Sequence, residues 1–110
     1  MTSGPLPRVI LDFDAVPWES PGPGVRYKSI VQERQRLRLL EFSAGFEEES
    51  WCTGGHAFHV LDGSFSLRFD GGVVHLKAGD VGFLPAGEGH RHKAALGREE
   101  YVRLLLFELV

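Results

Sequence analysis

The chain has 110 residues, a formal net charge of −3 and a single cysteine, with 43% of its residues hydrophobic. That length holds one domain around one core, the lone cysteine excludes an internal disulfide, and no apolar run reaches membrane-helix length. The basic residues are scattered rather than gathered in a stripe, so neither nucleic acid nor membrane is an expected partner.

The first residues, 1–8, carry no apolar run of signal-peptide length. Together with the unpaired cysteine, this gives the expectation of a cytoplasmic protein. Val9 to Phe13 forms a short apolar run, read as a strand, and Pro21, Gly22, Pro23 and Gly24 then make a loop. Residues 1–24 are accordingly read as an N-terminal arm with one short strand, and residues 25–110 as the main domain.

From there the period is two almost throughout. Val25 to Gln32 and Gln35 to Phe42 read as strands; within the second, Arg36, Arg38 and their leucine neighbours alternate, which argues against a helix. Ser50 to Cys52 reads as a short strand before Gly54 and Gly55. His56 to Leu61 and Ser64 to Phe69 follow, separated by a turn signal at Asp62 and Gly63. Asp70, Gly71 and Gly72 predict a hairpin into Val73 to Leu76. Val81 to Leu84, His90 to Ala95 and Glu100 to Leu109 complete the set. Many short strands, Gly-rich turns and no helical crossover predict an all-β antiparallel sandwich or barrel.

One spacing is specific. Gly79, Pro85, Gly87 and His90 stand with five, one and two residues between them. Physically, Gly79 and Asp80 turn into a buried strand, Pro85 ends it, and Gly87 and Gly89 reverse the chain. His90 is then expected to open the returning strand and face the interior. This stretch resembles the second sequence motif of the cupin superfamily. Upstream, His56 stands six residues before Gly63, and the run Val60, Leu61, Asp62, Gly63 resembles the end of that family's first motif. The resemblance covers roughly Glu41 to His92. It implies a single cupin barrel, a double-stranded β-helix of jelly-roll type.

Metal-binding cupins commonly carry His, any residue, His and then Glu in the first motif. Here Ser50 and Cys52 occupy the two His positions, and His56 occupies that of Glu; the asparagine often found near the end of the second motif falls on Ala94. The resemblance thus implies a candidate metal set of Cys52, His56 and His90. A thiolate and two imidazoles suit zinc, with iron, nickel or copper as other divalent candidates. On a straight strand Cys52 and His56 would lie about 13 Å apart, so they converge only if the chain bends at Gly54 and Gly55. His92 shares the parity of His90 and is a second-rank pocket residue. Phe58, Phe83 and Phe107 are expected in the interior, the first two as contacts to a small-molecule ligand or substrate. His59 falls on the opposite face from His56 by parity, and His75 reads as solvated. Glu47, Glu48 and Glu49 read as a solvated charge run, with one carboxylate within reach of the barrel mouth as the alternative. Trp51 alternates away from Cys52, as wall or interface.

Three readings follow. In the first, a divalent metal in the barrel acts on a small organic molecule. In the second, the same pocket is a metal-free binding or sensing receptacle. In the third, Cys52 is a nucleophile with His56 or His90 as its base. The apolar final strand, Tyr101 to Val110, leads to the expectation of a homodimer.

Overall fold

The alternation read above becomes eight antiparallel strands in a computed structural model that describes residues 4–7 and 9–110. The strands are β1 (Glu19–Gly22), β2 (Val25–Gln32), β3 (Gln35–Phe42), β4 (His56–Phe69), β5 (Gly72–Lys77), β6 (Val81–Leu84), β7 (Lys93–Ala95) and β8 (Val102–Leu109). No α-helix occurs among the described residues; Phe13–Ala15 and Glu88–His90 form single 3-10 turns. One sheet runs β1-β2-β3-β8-β4-β6, and β4 continues into a second sheet between β5 and β7. This is the jelly-roll-like barrel that the motif resemblance implies.

The passage of β4 from one sheet to the other corrects one reading of the sequence. Asp62 and Gly63 do not make a hairpin turn. They lie inside a single 14-residue strand, at a register shift between Val60 and Asp62 against β8. The bulge bends the strand. Gly63 takes a φ of +79°, and a Cβ there would collide with the carbonyl oxygen of Tyr101. Glycine serves a close backbone approach at this point, which local pattern cannot separate from a turn.

The bend lets both halves of β4 cover one core. Leu40 and Phe42 of β3, Val60, Phe65 and Leu67 of β4, and Val102, Leu104 and Leu106 of β8 are all buried. Each such side chain contributes about 1.5–3 kcal/mol through burial. Parity fixes the outer face just as firmly. Phe107 lies between the inward Leu106 and Glu108 and is 36% exposed, contrary to the expectation that it fills the interior. Phe83 is opposite Ala57 and is 84% exposed, while its neighbour Leu84 is opposite His56 on the inner side.

The arm differs from its reading too. Val9 and Ile10 are exposed and form no strand; the arm's strand is β1, which ends on Pro21 and Gly22, the first two residues of the stretch read as loop. Pro21 is tolerated there because β1 is an edge strand, where a missing N–H removes no ladder bond. The arm is fastened to the outer face of β2. Lys28, buried in spite of its charge, donates from Nζ to the carbonyl of Phe13 at 2.8 Å and stands 4.9 Å from the centre of the Trp18 ring.

Candidate functional site

Three chemically competent side chains converge at one end of the barrel, and backbone register explains how. The N–H of Cys52 donates to the carbonyl of His92 at 2.8 Å, and the N–H of His92 returns a bond to Cys52 at 3.0 Å. Residues paired this way project their side chains to the same face. His56 arrives by a different route. The loop bends through Gly54 and Gly55, so the first residue of β4 turns back toward Cys52, and His56 Nε2 lies 3.7 Å from Cys52 Sγ. There is little space at the bend: a Cβ on Gly55 would stand 3.2 Å from Ala86, and one on Gly54 3.5 Å from the His56 ring.

One ligand atom from each of Cys52, His56 and His92 lies within 4.8 Å of the others. Zinc bonds of about 2.0–2.3 Å in a tetrahedron place donor atoms roughly 3.3–3.8 Å apart. The Cys52–His56 separation already matches, and small side-chain rotations close the rest. His92 is 3% exposed, and the His56 side chain 8%. Burial holds the His56 pKa below its ordinary value; the Glu108 carboxylate opposes that shift, and Arg38, His92 and Arg36 reinforce it. His56 is therefore a neutral imidazole at pH 7, the form that ligates metals.

The far nitrogens of both rings are also placed. His92 Nδ1 is 3.3 Å from the carbonyl oxygen of His90 and donates to it, which leaves the Nε2 lone pair for the centre. His56 Nδ1 is 3.1 Å from Glu108 Oε2, though off the line of a good hydrogen bond, so this buried nitrogen lacks a well-aligned partner. A slight ring rotation would complete the carboxylate–histidine–metal relay common at such centres. Glu108 is itself gripped by Arg36, with Nη2 at 2.6 Å, and by Arg38, with Nη2 at 2.9 Å. Arg36 and Arg38 of β3, Glu108 of β8 and His56 of β4 lie on the inner face at neighbouring positions.

The sequence reading is met unevenly. Cys52 and His56 come together at the glycine bend. His90 does not join them: it is exposed and ends the 3-10 turn Glu88–His90. The reversal after Gly87 uses a full tight turn, its φ of +113° setting up the turn that delays the returning strand by two residues. Because strand parity repeats every two residues, His92 inherits the orientation expected of His90. Phe58 is buried in the core with its ring against Gly82, and Phe83 faces outward, so neither lines the cavity next to the donors. His59 is exposed, and exposed His75 sits on Ser66 Oγ. Trp51 is half-buried between Arg91 and Lys93. Of the acidic run, Glu48 reaches inward, where Oε1 accepts from the Ala94 N–H at 2.8 Å. Glu108, Arg36 and Arg38 were missed; the signal was their parity with the inward leucines of β8 and β3.

Next to the donors lies a cavity of about 300 Å³, walled by Leu40, Phe42, Phe65, Leu67, Leu104 and Leu106, with Arg38 and Tyr27 adding polar groups. Its size is at the small end for organic-ligand pockets.

Known proteins match this architecture. A polyketide cyclase, RemF from Streptomyces resistomycificus, superposes with a TM-score of 0.76 at 20% identity, over 91% of this chain and 78% of that one. A sugar phosphate isomerase of the cupin superfamily from Silicibacter pomeroyi gives 0.75 at 17% identity, over 92% and 75%. An RmlC-like cupin from Shewanella frigidimarina gives 0.71 at 20% identity, over 92% and 89%. No curated protein matches the sequence. At these identities the likeness is one of fold, and the cyclase and isomerase activities belong to those proteins. The Cupin domain family matches residues 43–107, a span that holds both motifs and all three converging donors, and the chain belongs to that family.

Proposed function

We propose that this cupin holds a divalent metal on Cys52, His56 and His92 and receives a small organic molecule in the adjoining cavity. The observation that carries this reading is the convergence of three donor atoms within 4.8 Å, two of them on buried imidazoles. A core with no further purpose has no reason to bury two histidines beside a thiol. Zinc suits the donor set best, and iron, nickel or copper are alternatives by ligand type. A bound ion would supply Lewis acidity to a ligand oxygen or to water. The chain's own part is to keep the His56 imidazole neutral, orient both rings and surround the ligand with apolar walls. A thiol used as a ligand has to stay reduced, which supports a cytoplasmic setting.

Metal content tests the proposal. Purified protein is expected to carry about one equivalent of zinc, and His92→Ala and Cys52→Ala to bind it at least about 100-fold more weakly. His90→Ala is expected to keep its metal. Loss of zinc in His90→Ala with retention in His92→Ala would return the ligand role to His90 and sink this site. A second reading, a metal-free binding or sensing cupin, draws on the largely apolar cavity wall. It predicts protein without metal but with a co-purifying small molecule, visible by native mass spectrometry.

The outer face suits pairing with a second copy. Val81 and Phe83 of β6 and Phe107 and Leu109 of β8 lie exposed on the outer face, on strands that flank β4, where Phe83 and Phe107 are both opposite Ala57. Light scattering at micromolar concentration is expected to give twice the chain mass, with Phe83→Glu shifting it to one. A wild-type monomer rules the dimer out.

A further inference from the structure

We infer that the cavity selects a small aromatic or similarly flat carboxylate, with Arg38 as the group that reads its charge. The inference deepens the proposed ligand-pocket reading and rests on it, but it does not require the metal.

Glu108 meets more cation than it needs. Arg36 holds it twice, through Nε at 2.7 Å and Nη2 at 2.6 Å. Arg38 adds a third contact through Nη2 at 2.9 Å. The row of Arg36, Arg38 and Glu108, two guanidiniums on one carboxylate, therefore carries one surplus positive charge. Of the two arginines, Arg38 is the one that lines the cavity. Its Nε is closed to solvent and meets no acceptor among the described residues. A guanidinium N–H left in that state is unfavourable, and an acceptor entering from the cavity relieves it.

Arg38 can turn toward such an acceptor without stranding Glu108, since Arg36 keeps its grip. The planar fork of a guanidinium matches a carboxylate in two parallel bonds. Glu48, the carboxylate in the lining, already accepts from the Ala94 N–H. The remaining lining specifies the body of the ligand. Phe42 and Phe46 stack at 4.7 Å, Phe65 tilts against Phe42 at 6.3 Å, and Arg38 itself stands 5.9 Å from the Tyr27 ring. A flat apolar body fits these aromatic walls, and its carboxylate then points to the polar end shared with His56.

Benzoate and its neutral isostere benzamide separate charge recognition from apolar filling. In an NMR titration of the metal-free full-length protein, benzoate is expected to bind at least tenfold tighter than benzamide, with shifts at the Tyr27 and Phe65 resonances. Arg38→Gln is expected to remove that preference, and Arg26→Gln, on the outer face, to keep it. Equal binding of the two probes to the wild type overturns the inference, whether or not any variant folds. Zinc content measured on the same samples keeps the two proposals apart. Zinc binding with no benzoate preference defeats the Arg38 assignment alone, and benzoate preference without zinc binding supports it while the metal reading fails.

Discussion

Two glutamates on neighbouring strands, Glu41 of β3 and Glu108 of β8, are each held by two arginines, yet they do different things. Glu41 lies on the outer face and accepts from Arg26 Nε at 2.6 Å and from Arg103 Nε at 2.7 Å. Its partners lie on β2 and β8, directly opposite it in the ladder. That arrangement ties three strands together and ends there. Glu108 lies on the inner face, where Arg36 and Arg38 come from a single neighbouring strand and the side toward β4 meets His56 at 3.1 Å. The same ion-pair chemistry is closed on one face and open on the other. The open contact is what joins Glu108 to the candidate metal centre.

Removing each carboxylate in turn should break the comparison cleanly. The larger effect is expected from Glu108→Gln on zinc affinity. The variant removes the negative charge beside His56 Nδ1 that would orient the ring and strengthen it as a ligand, and loss of such an outer partner typically weakens a metal centre by about 10–100-fold. Glu41→Gln should leave zinc affinity unchanged within about twofold. A zinc competition assay reads both numbers. Equal losses in the two variants would show that Glu108 acts only through general stability, and would reduce the His56 contact to coincidence.

The same contrast explains what could be read from the sequence. Strand alternation and the spacing of Gly79, Pro85 and Gly87 made the barrel legible, because turn chemistry and period two are local properties. Cys52 and His56 were legible because the glycines between them supply the bend that convergence needs. His90 was misplaced because its position depends on the path of the reversal after Gly87. A tight turn there moves the inward position on by two residues, and spacing alone cannot say whether the chain takes it. Gly63 was misread for a related reason. A glycine at a bulge and a glycine at a hairpin have the same local signature, and only the approach of Tyr101 separates them. Glu108 and its arginines were hidden because their meaning comes from register across three strands. In the sequence they are ordinary charges in alternating strands, and inner and outer ones look alike.

The smallest expected effect concerns the closed pair and sharpens its structural reading. For Glu41, partial burial would raise the pKa, but hydrogen bonds from Arg103 and Arg26 and their charges outweigh it, so the folded pKa lies below the ordinary value of 4.5. A depressed carboxylate pKa contributes stability that is fully present above the unfolded value and is lost as pH falls through the folded one. Both arginines are nearly half exposed, which places the contribution at about 1 kcal/mol after screening. Urea unfolding of wild type and Glu41→Gln should therefore differ by about 1 kcal/mol at pH 7. The gap should narrow as pH drops below 4.5, and it should shrink in high salt at any pH. A gap that persists at low pH would mean that Glu41 acts through packing of its stem, because protonation would leave that part of its contribution in place.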